Sequence, residues 1–369
     1  MIHRNKSIVF NSIFGKVNIA SPYLWCPGKD SSKPLIDEMK VYHHGRSEAV
    51  NRALSDFGIE DSFASAAERF EEHYHYAISS SAVARSTKKV AGQALEYIEN
   101  KLSCADDQQS EVMMDKMLVE LDGCEIRTAQ IVSDENTNEK TEVYKNPKKR
   151  KNIKWRDIRI GFVRPLDSMT KTYIGQMGPY PDVVKQLHDA AMLTGMKSET
   201  DIIGIADGGI GLSEELKKQF PNMQFILDKS HLKDHFYETA EALGICQKDR
   251  YGWVEPRIRK ISDGNVEEVL KELTEKNTKN PNARLKRLMG YIDRFNDALD
   301  YKEFKEKGYP IGSGEIESAH KSIPQKRLKI PGASWDAASI NPMLALRILR
   351  ADDWWEDFWN QRAEKLMAA

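Results

Sequence analysis

Over residues 1–45, apolar positions alternate with turn residues. The stretch IVFNSIFGKVNIASPYLW mixes them with Gly15, Pro22 and polar side chains, which predicts short strands. From about 46 to 100 the period lengthens. Phe63, Ala66, Ala67 and Phe70 recur at three- and four-residue steps, one face of a helix. The pattern breaks at Ala77-Ile78, and Ser79 is placed to cap a second helix carrying Val83, Val90 and Ala91. Residues 101–114 are polar and predict a linker. The apolar strand MLVELDGCEI is expected to end at Asp122-Gly123, a common turn pair. Residues 133–154 read as a loop. RDIRIGFVRPL and KTYIGQMG predict two more strands, followed by a helix over about 182–196. Strand IIGIA closes on Asp207-Gly208-Gly209; a helix over about 213–219 leads to strand MQFIL, ending at Asp228. From about 230 to 306 the pattern is helical and charged. PIGSGEIES then opens at Pro310, runs into a basic helix and reaches PGASW. No internal repeat or low-complexity tract interrupts the chain.

Composition narrows the class. At about 150 residues per domain, 369 residues predict two or three domains. An apolar share of 40% supports a buried core and excludes a disordered or collagenous chain. The 55 basic and 56 acidic residues leave a net charge of −1, which excludes a uniformly basic coat but not local patches. Cys26, Cys104, Cys124 and Cys246 form no CxxC pair, which argues against a zinc ribbon or a redox motif and fits a reducing compartment. No window approaches eighteen apolar residues and the N-terminus lacks a signal-peptide core, so a soluble intracellular protein is expected.

Two basic patches stand out. Between Lys145 and Arg156, KNPKKRKNIKWR holds seven Lys/Arg and no acid. Lys148, Lys149, Arg150 and Lys151 at its centre fit a solvated loop or a phosphate contact. The helices of 46–100, with Arg85, Lys88 and Lys89 on the second, have the outline of a helix-turn-helix or of any helical hairpin.

The acids carry the candidate chemistry. Asp122 and Asp207 stand at the ends of strands, where carboxylates from neighbouring strands converge. Two divalent cations about 4 Å apart need several hard oxygen ligands. A third acid is expected from a later helix, and Glu317 lies 110 residues after Asp207. Glu315 competes with it, but residues two apart on a helix point about 160° from each other, so only one of the two faces the site.

Four stretches carry a resemblance: LVELDG (118–123), GIADGGIGL (204–212), ILDKSHLKDH (226–235) and PIGSGEIESAHKSIPQKRLKIPGASW (310–335). Over about 115–350 the sequence resembles the DDE transposases of bacterial insertion sequences, closest to the Kra-type and Mutator-like group. The resemblance implies an α/β fold: an RNase H-like core with a mixed five-stranded sheet, an all-helical insertion between the second and third acids, and a small N-terminal α+β region with a helix-turn-helix. The expected organisation is a strand-rich region over 1–45, a helix-turn-helix region and linker over 46–114, the core over 115–234 and 309–369, and the insertion over 235–308. It implies metal-dependent DNA strand cleavage and strand transfer, with Asp122, Asp207 and Glu317 holding two Mg²⁺ or Mn²⁺ ions. Glu317 is preferred to Glu315 because it matches the family's Glu-Ser.

Asp228 and His231 match the family's Asp/Cys-x-x-His motif. They fit either support of the active site, or a helix cap with a satisfied histidine. His231 and His235 have a spacing that could chelate zinc, but no cysteine ligand lies nearby. Lys321, Lys326, Arg327 and Lys329 are candidates to hold the scissile strand's phosphates. Trp335 fits either stacking on a base or packing. Trp354, Trp355 and Trp359 are assigned to packing or an interface. Implied partners are double-stranded DNA, both terminal inverted repeats and target, with a homodimer or larger assembly on DNA, in a bacterial cytoplasm at the nucleoid. No membrane is expected. The family's N-terminal cysteine pairs are missing, and the abrupt strand-like start suggests an upstream portion. Two alternatives remain. A captured or truncated transposase acting only by binding DNA would be favoured by loss of an acid, and none is lost. An RNase H-like nuclease acting on RNA or hybrids is opposed by the helical insertion and the GSGEIES block.

Overall fold

A computed structural model describes residues 2–25, 27–28, 32–39, 41, 45–108, 110–133 and 149–368, with backbone alone at 2–3, 132–133, 149–150 and 366–368. Cys26 and Lys148 lie outside the described residues. The chain divides into two compact units, Met1–Ile98 with Gln325–Ala369, and Glu99–Pro324.

In the first unit, β1 (Ile2–Ser12) and β2 (Gly15–Leu24) form an antiparallel hairpin. A short helix, α1 (Pro34–Glu38), follows, and Ile8, Ile36 and Val41 make a small core. Next come α2 (Glu48–Glu60), α3 (Phe63–Tyr74) and α4 (Ser80–Ser103). The helical pattern of 46–77 is thus two helices rather than one. Ser62 makes the break, its Oγ accepting the Ser65 N–H at 3.1 Å. Ser79 caps α4, its Oγ accepting the Ala82 N–H at 3.3 Å. Val50 and Leu54 of α2, Ala66 and Phe70 of α3 and Val83 of α4 close one three-helix core.

The second unit is built on a mixed sheet of five strands, order β5-β4-β3-β6-β7, with no barrel. The strands are β3 (Lys116–Ser133), β4 (Lys149–Pro165) and β5 (Thr172–Met177), then β6 (Asp201–Ala206) and β7 (Gln224–Leu227) after helices α5 (Tyr180–Thr194) and α6 (Leu212–Gln219). β3, β4 and β5 are an antiparallel meander, whereas β6 and β7 run parallel to β3. The continuous apolar runs of β6 and β7 suit parallel strands covered on both faces.

Two strand expectations change. β3 does not end at Asp122-Gly123: Gly123 lies opposite Arg159 in the ladder and pairing continues to Ser133 opposite Lys149. Backbone pairing, indifferent to side-chain charge, also draws 149–154 out of the expected loop and into β4. After β7 every element is helical: α7 (Lys229–Ala242), α8 (Gln247–Ser262), α9 (Val266–Lys279), α10 (Ala283–Arg294), α11 (Tyr301–Glu306) and α12 (Gly314–His320).

The chain then returns to the first unit with α13 (Lys326–Leu328), α14 (Ile340–Ala351) and α15 (Trp354–Ala368). The block 309–369 is therefore divided, at 324/325. No helix among the described residues is long and apolar enough to cross a membrane.

Candidate metal centre and nucleic-acid contacts

Sheet register assembles the acids. The β3–β6 ladder ends at Glu120 opposite Ile205, so two residues further on Asp122 and Asp207 stand at one level. The β6–β7 ladder ends at Ala206 opposite Leu227, so Asp207 and Asp228 are next along. Three parallel strands about 4.8 Å apart thus offer a carboxylate each at the same edge, and the pleat places all three on one face. That face is the one α12 covers. The Glu120 carboxylate, two residues before Asp122, accepts the Ile316 N–H at 2.9 Å.

Asp228 is fully buried. It caps α7, its Oδ1 accepting the Ser230 N–H at 2.8 Å, while the Ser313 hydroxyl donates to Oδ2 at 2.6 Å. His231 Nε2 lies 3.6 Å from the same Oδ2. Donor atoms of Asp228, His231 and Glu317 all come within 4.8 Å of one another, so these three could hold one metal ion. Asp122 and Asp207 do not enter that group. Each is partly exposed and turned onto its own local backbone: Asp122 Oδ1 accepts the Gly123 N–H at 2.7 Å and Asp207 Oδ1 the Gly209 N–H at 3.0 Å. The set is two carboxylates and one imidazole, hard oxygen donors with one nitrogen. Among the described residues, no Lys or Arg pairs with Asp122, Asp207, Asp228 or Glu317.

Glu315 is placed differently. It binds Arg164 Nη2 at 2.7 Å and Lys171 Nζ at 2.8 Å. Burial raises its pKa, but those two cations outweigh it and hold the carboxyl below its usual range. Arg164, itself buried, also donates to the Pro165, Leu166 and Ser168 carbonyls, so this ion pair anchors the start of α12.

Sequence reasoning missed Glu120 and His320. Glu120 is fully buried, and its Oε1 has no hydrogen-bond partner among the described residues. Burial, with Glu315 and Asp228 nearby, pushes its pKa up to about 8 against the opposing Ile316 hydrogen bond and Arg164. The fold therefore favours the neutral carboxyl, and stability is lost as pH rises from the ordinary carboxylate value of 4.5 towards about 8. Glu120→Gln keeps an acceptor for Ile316 and cannot ionise. In urea unfolding with a chelator present, its stability relative to wild type rises by about 1–3 kcal/mol between about pH 5 and pH 8. A pH-independent difference contradicts this placement. His320, three residues after Glu317, is buried with Nε2 3.6 Å from Asp122 Oδ2. The only sequence signals were a charge inside an apolar strand and an i, i+3 helical spacing.

The helical segment after β7 reaches the second acid. The Tyr291 hydroxyl on α10 accepts the Gly208 N–H at 3.1 Å. A Cβ at Gly208 would lie 2.4 Å from the Tyr291 ring, so the turn after Asp207 admits only glycine beside that ring. His235 packs edge-on against Tyr291, ring centroids 4.5 Å apart, rather than joining His231 at a metal. Burial, then Arg284 and His231, lower the His235 pKa.

Several nucleic-acid candidates prove structural. Arg327 is buried, donates from Nε to the Gly58 carbonyl at 2.9 Å and lies 4.7 Å from the Phe63 and Trp335 rings. Trp335 is buried too, its Nε1–H donating to the Leu328 carbonyl at 3.2 Å, so it packs and offers no face to a base. A guanidinium satisfied by a carbonyl and two rings is not available to a phosphate. Lys326 is held by Glu60. Lys321, Lys329 and Lys151 are exposed. So are Arg85, Lys88 and Lys89, which share one face of α4 by their three- and four-residue spacing. Of Lys149 and Arg150 the structure describes the backbone, in β4. Trp355 and Trp359 are buried, packed edge to face.

No family model and no curated protein matches the chain.

Proposed function

We propose that the chain is a DDE-type transposase with an RNase H-like core, which cuts and joins DNA strands by divalent-metal-assisted phosphoryl transfer. One observation carries the reading. Three acids stand at one level and on one face of parallel strands, Asp122 within β3 and Asp207 and Asp228 just past β6 and β7; Glu317 arrives beside Asp228 on α12, and no Lys or Arg neutralises any of the four among the described residues. Carboxylates gathered without counter-charges repel one another, and a bound cation relieves that cost. The order of elements, with helices alone between β7 and α12, and the four resembling stretches support the same reading.

Asp228, His231 and Glu317 would hold one ion, and Asp122 and Asp207 would supply carboxylate oxygens to a second. Bound Mg²⁺ or Mn²⁺ would polarise the scissile phosphate and favour the deprotonated form of the attacking water or 3′-hydroxyl. The chain's own part is positioning. Ser313 and the α7 N-terminus fix Asp228, the Gly208–Tyr291 contact fixes the turn after Asp207, and the Arg164–Glu315 pair with the Glu120–Ile316 bond sets α12 and hence Glu317. In-line phosphoryl transfer demands such placement more than a protein nucleophile. Acting on two DNA ends at once, the enzyme would work as a homodimer or larger assembly on terminal repeats and target.

Substrate choice tests the reading. The full chain, given Mg²⁺ or Mn²⁺ with duplex DNA, an RNA–DNA hybrid or duplex RNA, is expected to nick the DNA. Preference for RNA or the hybrid would make it a ribonuclease. DNA binding with no cleavage in any metal would make it a DNA-binding protein alone.

A further inference from the structure

β3 pairs with β6 only as far as Glu120, and β4 pairs with β5 only from Ile158 onward. Beyond those points, 125–133 and 149–157 pair with each other alone as a two-stranded ribbon. Nine residues of strand extend about 30 Å, the rise of about nine base pairs of duplex DNA. The ribbon is basic: 125–133 and 149–157 hold Arg127, Lys149, Arg150, Lys151, Lys154 and Arg156 against two acids, Glu125 and Asp157, paired at its base.

Its two faces differ. Register puts Ile131 opposite Lys151, Ala129 opposite Ile153 and Arg127 opposite Trp155 on one face. There Ile131 is 63% exposed, Trp155 60% and Ile153 43%. On the other face Ile126 and Thr128 are buried. Among the described residues Arg127, Lys151, Lys154 and Arg156 have no ion-pair partner. An exposed tryptophan and two isoleucines amid unpaired cations cost solubility and are not needed for folding.

We infer that this ribbon face is a docking arm for duplex DNA, Arg127 and Lys151 lying along the phosphates and Trp155, flanked by Ile131 and Ile153, making the apolar contact with sugars and bases. Two-stranded ribbons fit DNA grooves, apolar side chains wedge against base steps, and a ribbon with six cations against two acids complements a polyanion rather than a protein surface of mixed sign. The assignment rests on the proposed DNA-processing function and adds how the duplex is held, by a surface on the strand that carries Asp122 but outside the acidic edge.

The test measures binding of the full chain to a short labelled duplex of mixed sequence by fluorescence anisotropy across a salt series, with chelator present. Trp155→Ala is expected to weaken binding about 10-fold with the salt slope unchanged, because an apolar contact releases no counterions. Trp155→Phe retains most of the affinity. Lys151→Ala weakens binding and reduces the slope by about one, whereas Lys154→Ala, opposite Thr128 on the other face, changes neither. All three positions are exposed, and circular dichroism checks that each of the four variants is folded. Wild-type affinity and slope in every variant would overturn the arm while leaving the proposed function standing. A folded wild type that binds no duplex at all would overturn both.

Discussion

Glu317→Gln is expected to abolish metal-dependent strand cleavage, with a loss of about 10³-fold, since one metal-ligating carboxylate supplies several kcal/mol of transition-state stabilisation. Glu315→Gln is expected to keep cleavage within about 10-fold and to lower stability instead, because it removes the charge that satisfies buried Arg164. The two residues are two apart in one helical turn, and their surroundings separate them. Glu317 lies with Asp228 and His231 and pairs with no cation among the described residues. Glu315 is bound by Arg164 and Lys171, so its charge is already used. Cleavage rates with chemical denaturation of both variants check the pair. Loss of cleavage by Glu315→Gln at full stability, with Glu317→Gln active, would exchange their roles.

Gly208→Ala carries the second large effect. The added Cβ would meet two Tyr291 ring carbons and the hydroxyl oxygen at 2.4–2.6 Å, closer than such atoms approach without displacement. The ring sits on α10, packed on His235 and Phe295, so the Asp207 turn is the element expected to move. Overpacking of this kind costs about 1–3 kcal/mol, and an ångström of misplacement at a reacting centre costs about 10²-fold in rate. Tyr291→Phe leaves the ring in place and does not relieve Gly208→Ala. Tyr291→Leu removes it and is expected to restore part of both stability and rate in the double variant. Additive losses in the double variant would deny the contact. The same contact gives the helices between the second and third acids a role beyond spacing, as the wall against which the Asp207 turn is set.

The acidic edge was legible where local sequence and tertiary structure agree. Asp207 and Asp228 follow short apolar runs and are followed by glycines or a helix, so strand and stop are written together. Asp122 was found for a reason that fails: Asp-Gly resembles a turn, but β4 pairs past it and the strand runs on for eleven residues. What marks Asp122 is the end of the β6 ladder, a property of the partner strand. Glu120 and His320 were passed over because a charge in an apolar strand and a histidine in a helix acquire meaning only from what packs on them. Arg327 and Trp335 show the converse. Their neighbourhood in sequence is basic and close to Glu317, but burial against Phe63 and the Gly58 carbonyl turns them from DNA contacts into core. The return of 325–369 to the first unit depends on contacts hundreds of residues apart, such as Arg347 with Glu60, which no local pattern announces.

The most direct measurement is nicking of supercoiled plasmid DNA by the full chain in Mg²⁺, in Mn²⁺ and in excess chelator, with Asp207→Asn alongside. The expected result is conversion to nicked and linear forms by wild type in either metal, none in chelator, and none by a folded Asp207→Asn. Cleavage that persists in chelator, or that Asp207→Asn carries out at the wild-type rate, would contradict a metal-dependent strand-cleaving site at this sheet edge.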